Sequence, residues 1–90
     1  MTAVVATHAV GNMDTWLKGG AERKGVFAKF CSSCRIFRHP DEANRVSIVC
    51  ENVDLAKLKA TMDAAETNAA KAKHTVIDPI EVYVEVDGGK

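Results

Sequence analysis

Two hydrophobic periods alternate along this chain, and their order admits few folds. From Ala3 to Val10 the period is two: Val4, Ala6, His8 and Val10 share one face, and Ala3, Val5, Thr7 and Ala9 the other, as in a strand covered on both sides. Gly11-Asn12 breaks it, and either Asn12 or Asp14 can cap a helix beginning near Met13, with Trp16 and Leu17 early and Val26, Phe27 and Phe30 late. Gly19-Gly20 interrupts that helix. Each glycine costs about 1 kcal/mol against alanine, so the pair marks a break, a close approach of another backbone, or simple tolerance. Strands are then expected over Ser32 to Arg38 and Arg45 to Glu51, paired antiparallel across the turn formers Pro40, Asp41 and Asn44. Asn52 or Asp54 caps a second helix whose Leu55, Leu58, Met62 and Ala65 recur every three or four residues, and Thr67 to Lys73 extends it as a further piece. Ile80, Val82, Val84 and Val86 alternate as the fourth strand. Residues 1–87 form one domain on this reading, and 88–90 a flexible tail.

The order β-α-β-β-α-β is the split arrangement of an α+β, ferredoxin-like fold, an antiparallel sheet with both helices on one face. The other face is left bare, carrying Ser33, Arg35, Phe37, Ser47, Val49, Glu81, Tyr83 and Glu85. A chain of 90 residues buries only about 60–65% of its unfolded surface. Its bare, partly apolar face therefore predicts a homodimer formed through the two sheets.

Twelve basic and twelve acidic side chains cancel, and neither sign forms a block, so nucleic acid is not an expected partner. The opening apolar run has no Lys or Arg before it and alternates with Thr and His, which reads as neither an export signal nor a membrane span and predicts a cytoplasmic protein. Cys31-Ser32-Ser33-Cys34 spells the spacing of a redox or zinc pair. Placed in a strand, those thiols would point to opposite faces, and no second closely spaced ligand pair exists for zinc, so free, structural cysteines are expected.

The residues left for chemistry are few. His8, a polar ring on an otherwise apolar strand face, is the candidate acid/base, because its unperturbed pKa lies near neutrality. Trp16, Met62 and His74 are candidate substrate-binding residues: Trp16 shaping a cavity, Met62 on the buried helix stripe, His74 at its rim. His39, in the turn, is expected to be solvated. There is no Ser-His-Asp arrangement, phosphate-cradling loop or metal-spaced carboxylate cluster, so no cofactor or metal is expected.

Four stretches carry a resemblance: His8 to Trp16, Phe27 to Phe30, Arg38 to Val46, and Asn52 to Lys57. Together they resemble the small bacterial proteins of the dimeric α+β barrel superfamily, most closely the cyclase-like branch. Those proteins often show a histidine ending strand one, an acidic residue and tryptophan opening helix one, and an Asp-Pro-Asn-like turn before strand three. This chain departs from them at Gly19-Gly20, where a longer aromatic residue is usual. The superfamily also holds antibiotic-biosynthesis monooxygenases and haem-degrading enzymes. The resemblance implies the fold, a dimer, and two functions. One is a cofactor-independent oxygenase or cyclase/isomerase acting on a small hydrophobic compound; the other is a non-catalytic dimeric module that binds a ligand or a protein.

Overall fold

A computed structural model describes residues 2–86, in which the expected strand and helix order is present with each helix divided in two. Strand β1 (Thr2–Val10) leads to helices α1 (Met13–Lys18) and α2 (Gly20–Phe27), then strands β2 (Ser33–Arg38) and β3 (Arg45–Val53). Helices α3 (Leu55–Asp63) and α4 (Ala65–Lys73) and strand β4 (Val76–Val84) complete it. The sheet order is β2-β3-β1-β4 with every pair antiparallel, the ferredoxin-like order. The tail expected at Gly88–Lys90 lies outside the described residues.

Local chemistry explains the boundaries. Asn12, in extended conformation, accepts a hydrogen bond from the Thr15 amide at 3.0 Å and caps α1; Asp54 does the same for α3 through Lys57 at 3.1 Å. The first helix ends at Gly19, which serves as the C-cap of α1 and the N-cap of α2. The second breaks at Ala64, whose extended ψ of 141° stops α3. Strand four starts at Val76, earlier than Ile80, because it follows α4 directly through Thr75 and an irregularity in its pairing with β1. In the hairpin turn, the His39 Nδ1 accepts from the amides of Asp41 (3.1 Å) and Glu42 (3.0 Å), so this ring is exposed but fixes the turn.

The helices cover one sheet face, where Val4 and Val10 of β1, Val46, Ile48, Cys50 and Val53 of β3, Trp16 and Phe30 make the core. Each such aliphatic or aromatic side chain contributes about 1.5–3 kcal/mol by leaving water. The second helix presents a different stripe from the one its sequence suggests. Leu55 is half exposed and Thr61 buried, so the inward line runs through Leu58, Thr61, Met62 and Thr67.

The expectation that Cys31 and Cys34 turn apart is corrected. Cys31 precedes β2, in the turn after α2, where its thiol donates to the Phe27 carbonyl at 3.2 Å. Cys34 sits opposite Cys50 in the β2–β3 register, and all three cysteines join the core on the helix side. All three are unbridged. Burial pushes the Cys50 thiol up to about 12 and raises that of Cys31, so these are poor sources of thiolate.

Candidate functional site

A cavity of about 90 Å³ lies between the sheet and the helix layer. His8, Trp16, Met62 and His74 all contribute to its wall, so residues far apart in the sequence meet at one place. Most of the remaining surface is aliphatic and aromatic, including Val4, Phe30, Ile48 and Val82.

His8 reaches this cavity because it shares the helix-facing side of β1 with Val4 and Val10. It is 4% exposed, and its Nδ1 lies 2.9 Å from the Ala9 carbonyl oxygen. A carbonyl only accepts, so Nδ1 carries the proton in the neutral ring and Nε2 keeps its lone pair. Among the described residues nothing in the protein hydrogen-bonds that Nε2. Burial holds the His8 pKa below its ordinary value of 6.5; the Ala9 bond opposes the shift, and the positive charges of Arg23, Lys71 and Arg45 add to it. At neutral pH the ring is therefore an uncharged proton acceptor. The indole of Trp16 meets it edge to face, with centroids 5.9 Å apart and planes at 72°.

His74 ends α4 and is also buried. Its Nε2 lies 3.3 Å from a Glu22 carboxylate oxygen, which Lys73 shares at 3.2 Å, so the end of α4 is clipped to α2. Those partners hold the Glu22 carboxyl below its ordinary range, Lys73 more than His74. The same ring settles the meaning of Gly19. A Cβ at that position would sit 2.5 Å from His74 Nε2 and 2.7 Å from two ring carbons, whereas a Cβ on Gly20 would meet nothing within 4 Å. The glycine pair thus divides into a close approach and a free position.

Arg23 is the site residue that the sequence reading passes over. It is 7% exposed, and its guanidinium carbon stands 3.8 Å from the centroid of the Trp16 ring. Its Nη2 donates to the Trp16 carbonyl, while its Nη1 is buried without any partner. The sequence gives no signal for it: a spacing of seven from Trp16 would share a face only in an unbroken helix, and Gly19 separates α1 from α2 between them. The arrangement offers a lone pair on His8 and an unengaged cationic N–H on Arg23, both in an apolar wall. Among the described residues no group of three or more His, Cys, Asp or Glu is placed to hold a metal ion.

No protein-family model and no curated protein sequence matches this chain. Solved structures do. A Bordetella bronchiseptica protein assigned to the antibiotic biosynthesis monooxygenases aligns with a TM-score of 0.72 at 14% identity, over 97% of this chain and 98% of its own. SnoaB, a cofactor-independent oxygenase from Streptomyces nogalater, aligns with a TM-score of 0.67 at 13% identity, over 94% of this chain and 90% of its own. A Caulobacter crescentus protein of the same assignment as the first gives 0.66 at 17%, covering 92% and 85%. At such identities the likeness is one of backbone, and it agrees with the strand order above: this chain has the ferredoxin-like α+β fold of the antibiotic biosynthesis monooxygenase-like proteins.

Proposed function

We propose that this protein is a small enzyme that removes a proton from an apolar compound held between sheet and helices, acting as a cofactor-independent oxygenase or a cyclase/isomerase. The observation that carries this reading is the unpartnered Nε2 of a buried, neutral His8 on the wall of an apolar cavity. In the oxygenase form, His8 takes a proton from an activated C–H, and the carbanion passes one electron to dioxygen. The radical pair joins as a peroxide anion, which takes the proton back from His8; the hydroperoxide then loses the second hydrogen of that carbon with hydroxide, as water, to leave a carbonyl, so one dioxygen supplies the oxygen of both products. In the isomerase form, the same proton returns at another carbon. Trp16 and Met62 shape the cavity and His74 closes its rim. That SnoaB shares the fold supports the oxygenase form.

Replacing His8 with glutamine should lower turnover by about 10²–10⁴-fold, the usual contribution of one acid/base group. Oxygen uptake with single-ring enols and phenols measures it. Because the folded ring resists protonation, its contribution to stability is complete above pH 6.5 and is lost as the pH falls below that value, where the unfolded chain takes up the proton first. Urea unfolding of His8→Gln should lack that part of the acid loss. Ligand binding without His8-dependent turnover would instead establish a non-catalytic module, a reading that the bond of His8 to the Ala9 carbonyl favours.

The bare sheet face supports a homodimer as the working form. Phe37 and Tyr83 there are 47% and 55% exposed, and Val5 lies between Val49 and Tyr83 in the register. Joining two such faces should bury on the order of 1,200–2,000 Å². Tyr83→Asp should raise the dimer dissociation constant about tenfold or more, since an unpaired charge would be desolvated. Sedimentation at micromolar concentration reads this, and a monomeric wild type would end the proposal. No described helix is long and apolar enough to cross a membrane. Unbridged cysteines fit the reducing cytoplasm, which we propose as the compartment.

A further inference from the structure

Arg23 poses a problem that no residue of the chain solves. A guanidinium stays charged at neutral pH, and burying such a charge is expensive unless it is paired and its N–H groups are bonded. Here one nitrogen is bonded, to the Trp16 carbonyl, and the indole face lies against the guanidinium. Nη1 is left with nothing. None of the ion pairs among the described residues includes Arg23. The other cation of the wall, Lys71, is matched by Asp78 at 3.1 Å, and no Asp or Glu lines the cavity. A partner for Nη1 must therefore come from outside.

Size narrows what that partner is. At about 90 Å³ the cavity is well below the roughly 300–1,000 Å³ of sites that enclose drug-sized ligands. It suits one ring. Because Nη2 is tied to the helix backbone and the guanidinium plane is set by Trp16, the direction of Nη1 is fixed before anything binds, so its preference for an oxygen is built in.

We infer that the cavity takes a single-ring apolar compound bearing an anionic oxygen, a carboxylate or a phenolate, with that oxygen on Nη1 of Arg23 and the ring beside His8 and Met62. This deepens the proposed function by naming the class of its ligand, and it rests on the same cavity but not on turnover. With the anion on Arg23, the uncharged Nε2 of His8 faces the ring, not the acidic group. The acid is an anchor, and the proton removed in catalysis comes from elsewhere on the ligand.

Three single-ring probes test this on the intact wild-type protein: benzoate, its near-isosteric neutral counterpart nitrobenzene, and the longer 4-nitrophenolate under mildly alkaline conditions, followed by calorimetry and by the NMR shifts of His8 and Met62. Benzoate or 4-nitrophenolate should bind at least about tenfold more tightly than nitrobenzene, a difference of 1.4 kcal/mol. Benzoate alone would mark a carboxylate site, and 4-nitrophenolate alone a phenolate site. Arg23→Met should erase the preference for the anion while leaving nitrobenzene binding within about twofold, and Arg23→Lys should restore part of it. Equal binding of charged and neutral probes, or no binding by any, overturns the inference. So do shifts confined to Gly20, Ala21 and Ile36, which border a second depression, of about 420 Å³, that Arg23 also lines. The comparison within the wild type stands even if Arg23→Met fails to fold. Benzoate bound beside a His8 that supports no turnover would refute the catalytic reading and leave this one intact.

Discussion

Trp16→Ala is expected to cost about 3–5 kcal/mol of folding stability, the range for removing a large aromatic side chain from a packed core. Small domains have only about 5–15 kcal/mol in hand, so the variant should sit at the edge of unfolding at ordinary temperature. The loss has several physical parts. The indole is 1% exposed and among the largest fully buried side chains. It meets His8 edge to face and lies under the Arg23 guanidinium, so its removal enlarges the cavity and strips a buried cation of its one aromatic support. Trp16→Phe should cost distinctly less, because a ring remains for both neighbours. Urea midpoints of the two variants against wild type give the comparison, and a loss below about 1 kcal/mol for alanine would mean that the ring is not a core element.

Gly19→Ala should be the second large effect, at about 1–3 kcal/mol, as for forced overpacking. The added methyl would meet three atoms of the His74 ring at 2.5–2.7 Å. That ring cannot retreat freely, being buried and in contact with the Glu22 carboxylate. Gly20→Ala, one residue on, meets open space and should be neutral or stabilising by up to about 1 kcal/mol. In a His74→Ala background the Gly19→Ala penalty should largely disappear, which a double-mutant cycle of thermal melts would show. Equal penalties for the two alanines would mean that helix propensity, not contact, dictates the pair.

What was legible in the sequence followed from period. A period of two with β-branched residues predicted β1 and β3 to within two residues, and the short polar turn predicted β2 as the hairpin partner of β3. His8, Trp16, Met62 and His74 could be picked out singly because each is an aromatic, polar or thioether side chain near an element boundary or on an apolar face. That they belong to one site between β1 and the helices followed from shared faces and element ends; what the pattern did not give is the contact that brings His74 there, the end of α4 carried back over Gly19. Cys31 was misplaced for a related reason. Nothing in Cys31-Ser32-Ser33-Cys34 says where a turn yields to a strand, and a shift of one residue decides which way a thiol points. Arg23 was missed because an arginine on a short helix is usually a solvated one, and only burial shows that this one is not.

The sheet order also has a kinetic meaning. Strand β1 is central, yet both of its neighbours, β3 and β4, come much later in the chain; only β2 and β3 pair across a short turn. During synthesis the first strand must wait for β3 before it can pair at one edge, and for β4 before it can pair at the other. Loop-closure entropy then has to be overcome before either long-range pairing is rewarded, so folding should be slower than that of a helical domain of this size. The β2–β3 hairpin is the natural local nucleus, and the cavity, walled in part by Val76, Ile80 and Val82 of β4, is among the last features to form.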